Sequence, residues 1–360
     1  MPDSSSASVP SAHEATAEVL KNAALSTESG SSKSSDAADE SALEHLNVDS
    51  SDDADSALGD MAPVPSTYSA TSSIYHYVEE NGRTYHKYKE GKYLLPNDEA
   101  EMDRLDLQHQ LWSITLFEEL FLAPVKNLHN ILDIGTGTGI WAIEAANKYP
   151  SAHVIGSDLS PIQPEYVPPN CHFEVDDVED EWNYSQKFDL VHGRALVTCF
   201  KDPFFVISSA LDALNPGGFL EFHDFVIPLR SIDDSLQGTA FQSWQEKTFD
   251  AADKLGTSWR NSANYSRYLE EAGFVDVVEK HFQWPINPWA KGARMKTIGA
   301  YCQENILRGM EALSMAVLTR GAGMTKEEVM ELTAAAKRDV PNRDIHAYVP
   351  LIVVYGRKPE

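Results

Sequence analysis

The residues of this chain best suited to chemistry lie in one short run, Asp133-Ile134-Gly135-Thr136-Gly137-Thr138-Gly139. Three glycines alternate there, so the backbone can take positive φ and let a ligand approach the main chain closely. Asp133 stands two residues before the first glycine. A carboxylate so placed repels a pyrophosphate and suits a cationic ligand bearing an amino group and a sulfonium. The spacing separates cofactors further. A dinucleotide fingerprint is G-x-G-x-x-G, and here the position of its third glycine is taken by Ile140. Two more acidic sites follow at the ends of apolar runs. Asp158 comes 19 residues after Gly139 and offers a carboxylate to ribose hydroxyls. Asp176-Asp177-Val178 closes the next run, where a carboxylate can receive an adenine amino group.

The glycine run resembles motif I of the class I S-adenosylmethionine (SAM) methyltransferases. On that reading the cofactor residues are Asp133, Gly135, Thr136, Gly137, Gly139, Asp158, Leu159, Asp176, Asp177 and Val178. Methyl transfer from a sulfonium is an in-line displacement, and the cofactor supplies the hard chemistry. The protein aligns the acceptor and excludes water. A base is needed only where the nucleophile arrives protonated. The candidates are His109, His192, His223 and Asp224. The aromatic residues Tyr85, Tyr93, Trp284 and Trp289 either line a pocket for a flat substrate or belong to the core.

Such residues must be positioned by strands and helices, and the pattern predicts a doubly wound α/β fold. Ile131, Leu132 and Ile134 form an apolar run fit for a strand covered on both faces. Strands are expected near 130–135, 153–159, 172–176, 188–192, 219–225, 275–282 and 345–355. Helices are expected near 99–122, 140–148, 203–214, 265–272, 294–316 and 326–337. The first has Asn97 or Asp98 as a cap and Met102, Leu105, His109, Trp112, Leu116 and Leu120 on a buried face. Asn215-Pro216-Gly217-Gly218 is expected to end the third. Alternation of this kind implies a parallel, doubly wound sheet, and the resemblance to the class I methyltransferases implies a mostly parallel, Rossmann-like sheet of seven strands. The helices between the last two strands are long enough to act as lid insertions that roof the site. Ligands of such sheets bind at the carboxyl ends of the strands.

Composition narrows the function classes. The 360 residues are 42% hydrophobic and 10% aromatic, which supports a large core. The formal net charge is −26. A duplex-binding protein needs clustered Lys and Arg, and this chain has no such cluster, so direct nucleic-acid binding is not expected. Cys171, Cys199 and Cys302 are widely spaced and odd in number. That spacing fits a reducing compartment and argues against a disulfide framework or a structural metal. No basic-plus-apolar signal opens the chain and no apolar run approaches a membrane span, so a cytoplasmic or nuclear protein that is not secreted is expected. Residues 1–67 are rich in Ser, Ala and Asp. The first 60 carry 13 Asp and Glu against two Lys, too little apolar surface to offset ordering. The expected organisation is a disordered acidic tail over 1–67, a substrate and lid segment over 68–125, and a SAM-binding core over 126–360 with a helical insertion near 290–340.

Several segments together resemble the LaeA-like fungal methyltransferases. They are Glu80-Asn81-Gly82-Arg83-Thr84-Tyr85-His86, Tyr93-Leu94-Leu95-Pro96-Asn97-Asp98-Glu99 and Arg104-Leu105-Asp106-Leu107-Gln108-His109. Gly139-Ile140-Trp141-Ala142-Ile143-Glu144, Asp158-Leu159-Ser160-Pro161-Ile162-Gln163-Pro164, Asn287-Pro288-Trp289 and Ile345-His346-Ala347-Tyr348 match as well. The resemblance spans about residues 75–358. It implies the class I fold, SAM as cofactor and a role in fungal secondary metabolism. The acceptor is then a small metabolite or a protein. A second role implied by the family is that of a SAM-binding regulatory subunit, in a velvet-type complex, whose protein partners matter more than turnover.

Overall fold

The structure is a computed structural model, and it describes residues 77–89 and 91–360 together with Leu46. The expected acidic tail over 1–67 therefore lies outside the described residues, apart from Leu46, which is buried against Trp289 and Ala290.

A short hairpin comes first, β1 (Tyr77–Glu80) and β2 (Arg83–His86), with Asn81 and Gly82 at positive φ in its turn. Helix α1 (Glu99–Thr115) follows, capped by the Asp98 carboxylate on the Glu101 N–H. The alternating core then runs β3 (Asn130–Ile134), α2 (Ile140–Lys148), β4 (His153–Asp158), β5 (Cys171–Val175) and β6 (Phe188–Arg194). After these come α3 (Pro203–Ala213), β7 (Leu214–Phe225) and the two-residue β8 (Arg230–Ser231). Next are α4 (Ala240–Lys254), α5 (Tyr265–Ala272) and β9 (Val275–Pro285). The chain closes with α6 (Ala293–Gly321), α7 (Lys326–Asp339) and β10 (Ala347–Arg357).

The sheet order is β5-β4-β3-β6-β7-β10, with β9 on the outer side of β10. Strands β3 to β7 are parallel, and β10 enters antiparallel between β7 and β9. The seven expected strands are all present. The eighth, β8, adds two residue pairs at the start of β10. Side chains alternate across the sheet. Ile131, Val154 and Leu190 share one apolar cluster with Trp141 and Ala142 of α2. Leu132, Ile155 and Val191 face the opposite way, toward α3 and α5. Helices α1, α4, α6 and α7 pack together over β9 and β10 around Trp112, Trp244 and Trp284.

Three expectations need correction. Helix α1 stops at Thr115 instead of Leu122, because Phe117 and Glu118 take φ of 54° and 65°, a conformation that cannot continue a right-handed helix. The Asn215–Gly218 turn lies within β7 rather than between helix and strand. Helix α4 was not expected at all. Its N-terminus is capped by Thr239, whose hydroxyl accepts the Gln242 N–H. No helix among the described residues is long and apolar enough to cross a membrane.

Candidate active site

The carboxyl ends of β3, β4, β5 and β6 open into one cavity. The turn after β3 is built as its sequence requires. Gly135, Gly137 and Gly139 have φ of 61°, 58° and 81°, values that only glycine adopts without cost. A Cβ on Gly135 would lie 2.5 Å from Leu196, and one on Gly139 would lie 2.4 Å from Phe173. Nine of the ten expected cofactor residues line the cavity. Gly139 does not, and serves the turn by admitting the Phe173 ring.

Asp133 is 3% exposed and accepts the Thr136 hydroxyl at 2.6 Å on Oδ2. Its Oδ1 shares a 2.7 Å hydrogen bond with Nδ1 of His192. Burial pushes the Asp133 carboxyl up to about 7. Asp158 accepts the N–H groups of Gly137 and Ser160, each at 2.8 Å. Burial pushes it up to about 6. Two carboxyls held above their usual range by enclosure favour a cation between them. Acidic groups enclosed in this way fit a cationic cofactor such as SAM. Asp177 plays another part. Its buried carboxylate pairs with Lys92 and, at 2.8 Å, with Lys89. Against the effect of burial, the two lysines hold Asp177 below the usual carboxylate range. It therefore ties the segment before α1 across the cavity. Asp176, Val178, Leu159 and Ile162 line the same cavity.

The four base candidates separate. His192 lines the cofactor cavity and stacks flat on Trp141, with ring centres 3.7 Å apart. Burial holds its imidazole well below the usual range, so it is neutral. His109, His223 and Asp224 line neither this cavity nor the one beside it. His109 Nδ1 lies 2.7 Å from an Arg194 nitrogen and Nε2 lies 3.1 Å from Glu144. Burial, then the Arg194 charge, lowers its pKa. His223 is joined to Glu221 at 2.5 Å, and Glu221 also accepts the Leu122 N–H at 2.8 Å. Asp224 accepts the Tyr265 hydroxyl at 3.1 Å, and burial pushes it up to about 7. Their partners make these three parts of the framework.

The second cavity adjoins the first. Tyr93, Leu105, Gln108 and Ala195 line both. Ala195 has φ of 58°, an unusual value for a residue with a side chain, at the point where the cavities meet. Beyond it the walls are Phe225, Phe241, Trp244, Phe249 and Trp259 with aliphatic residues of α6. Of the four aromatic candidates, Tyr93 lines both cavities. Tyr85 is buried away from them, Trp284 donates to Thr115, and Trp289 donates to the Ala347 carbonyl. The polar residues of the second cavity, Arg104, Gln108, Thr198 and Asn305, escaped sequence reading. Arg104, Gln108 and Asn305 sit on helices that otherwise read as amphipathic, and Thr198 sits in the turn after β6.

A doubly wound sheet closed by an antiparallel last strand, with acidic strand ends around a glycine turn, defines a class I SAM-dependent methyltransferase. A methyltransferase-domain family model matches residues 90–279. Methyltransferase pytC of Aspergillus terreus is 36% identical over 294 residues, covering 81% of this chain and 91% of that protein. The secondary metabolism regulator laeA of Aspergillus fumigatus is 35% identical over 303 residues, covering 82% and 80%. The protein-methionine methyltransferase laeA of Emericella nidulans is 36% identical over 299 residues, covering 81% and 79%. The chain belongs to this LaeA-like methyltransferase family, and its cofactor is SAM.

Proposed function

We propose that the chain is an active enzyme of fungal secondary metabolism that methylates a small acceptor held in the second cavity. The observation that carries this reading is the joining of two cavities through Tyr93, Leu105, Gln108 and Ala195. One is acidic and suits a sulfonium cofactor. The other is aromatic and suits an organic acceptor. Bound SAM supplies an electrophilic methyl group. The protein's own work is placement: Asp133 and Asp158 hold the cofactor end, while α1, α4 and α6 shut water out of the acceptor end. Alignment of this kind is worth ~7–11 kcal/mol. The widely separated thiols Cys171, Cys199 and Cys302 support a reducing compartment, cytoplasm or nucleus.

A regulatory role through protein partners is the second reading, favoured by relatives named as regulators. One comparison separates the two. Gly137→Val forces a branched side chain onto a residue with φ of 58°, beside the N–H that meets Asp158. A fungal strain carrying it at normal protein level is compared with the deletion strain. Matching metabolite profiles support catalysis. A wild-type profile from the point mutant supports the regulatory reading.

A further inference from the structure

The two cavities share one ion pair, and that pair is oriented. Glu101 borders the cofactor cavity, whereas Arg104 borders the acceptor cavity. Both are nearly fully buried. Arg104 donates from Nε and Nη2 to the two Glu101 oxygens at 3.0 and 2.6 Å, and from Nη1 to Asn305 Oδ1 at 2.8 Å. Against the effect of burial, the Glu101 carboxylate keeps the guanidinium charged. A guanidinium carries five N–H groups, so these bonds leave donors over for a ligand. Gly309 admits the Arg104 stem, since a Cβ there would lie 3.0 Å from Cδ. The negative end of the pair thus faces the site of a cation, and the positive end faces the site of the nucleophile.

The remaining walls narrow the ligand. Phe241 and Trp244 stack with ring centres 5.4 Å apart and 9° between planes. Trp244 gives its N–H to Ser314 at 2.7 Å, leaving the ring for apolar contact. Trp259 is 3% exposed, and its indole nitrogen has no hydrogen-bond partner among the described residues. A buried donor without an acceptor is costly, and a ligand oxygen relieves it.

We propose that the acceptor is a small ring-bearing molecule with an ionisable hydroxyl, a phenol or an enol, held as its anion against Arg104. The proposal rests on the reading that the neighbouring cavity holds SAM. A buried guanidinium lowers the pKa of a hydroxyl beside it. The hydroxyl gives its proton to bulk water before the cavity closes over the bound anion. The oxygen then forms its bond to the methyl carbon as the carbon–sulfur bond breaks, and that electron pair stays on sulfur. The products are a neutral methyl ether and S-adenosylhomocysteine (SAH), so charge and atoms balance. Tyr93 and Gln108, at the junction of the cavities, are the positioning residues.

The full chain is loaded with SAH and titrated calorimetrically with 4-nitrophenol below and above the pKa of the phenol, with 4-nitroanisole as the neutral control. The anion is expected to bind about tenfold more tightly than the neutral phenol or the ether, as an ion facing a buried guanidinium should. Glu101→Gln with Arg104→Gln removes both charges together and leaves no lone buried ion. Its melting curve reports folding, SAH is kept at saturation for the variant's own affinity, and its preference for the anion is expected to vanish. Arg104→Lys should retain part of that preference. Equal affinity for anion and ether, no binding of 4-nitrophenol to the SAH-loaded chain, or an undiminished preference in the double variant overturns the proposal. Methyl transfer to a methionine-containing peptide but to no phenol overturns it in favour of a protein acceptor. Failure of SAH itself to bind refutes the reading of the first cavity, and the acceptor proposal falls with it.

Discussion

Asp133 and His192 face each other across neighbouring parallel strands and share a 2.7 Å hydrogen bond inside the cofactor cavity. The imidazole is held from behind by the Trp141 ring. Burial keeps it neutral, so it contributes no cation of its own to offset the Asp133 carboxylate. The site therefore presents an acidic group whose charge is waiting for a ligand.

That arrangement predicts a pH dependence of cofactor binding. Without ligand, Asp133 titrates at about 7 and Asp158 at about 6. A cationic amino group binds the ionised forms, so a proton must leave when the pH is below those values. SAM and SAH affinity should weaken as the pH falls from 8 to 6. Below the higher pKa the loss approaches about tenfold per pH unit for each proton displaced. Calorimetry over that range checks it, and a flat profile refutes it.

Asp158→Ala removes the acceptor nearest the expected ribose and frees the Gly137 and Ser160 N–H groups. SAM and SAH binding should weaken alike, by ~1.5–3 kcal/mol, the range for hydrogen bonds to a charged group. NAD should remain a non-ligand. Tight NAD binding to the parent protein contradicts the assignment.

Lys89 and Lys92 bind the segment before α1 to Asp177 at the cavity edge. Replacing both with alanine should speed SAH release several-fold and reduce its salt dependence, since partly exposed ion pairs are screened. Stopped-flow release at low and high salt provides the measurement. An unchanged rate means that the segment does not gate the cavity.

Asp224 carries a raised pKa of about 7 in the fold. An ordinary aspartate in the unfolded chain titrates near 3.9. The folded state therefore holds the proton more tightly, and the stability this group adds is complete below about pH 4 and lost as the pH rises through 7. Asp224→Asn mimics the protonated form. Its melting temperature should fall less than that of the parent between pH 6 and pH 8, a difference worth at least ~1 kcal/mol. Equal slopes exclude this role.

The sequence by itself determined the parts that depend on near neighbours. The apolar run at 131, 132 and 134 makes a strand covered on both faces, and glycines at 135, 137 and 139 make a turn through backbone geometry alone. Seven strands and the acidic ends at Asp133, Asp158 and Asp176 follow from such local periodicity. Tertiary structure decided the rest, because the partners are remote in the chain. Lys92 meets Asp177 from 85 residues away, and Arg104 meets Asn305 from 201. No local pattern encodes either pairing. Helix α1 shows the limit most clearly. The expected buried face includes His109 and Trp112, which are buried, yet Glu101, Arg104 and Gln108 are buried there as well, beside Leu107 and Leu111. Polar side chains are buried only where partners satisfy them or a cavity awaits a ligand. Glu101 finds its partner Arg104 one turn along the same helix, while Arg104 reaches Asn305 on α6, brought to α1 by the fold. For the same reason His223 and Asp224 looked like site residues at a strand end, whereas Glu221 and Tyr265 commit them to the framework.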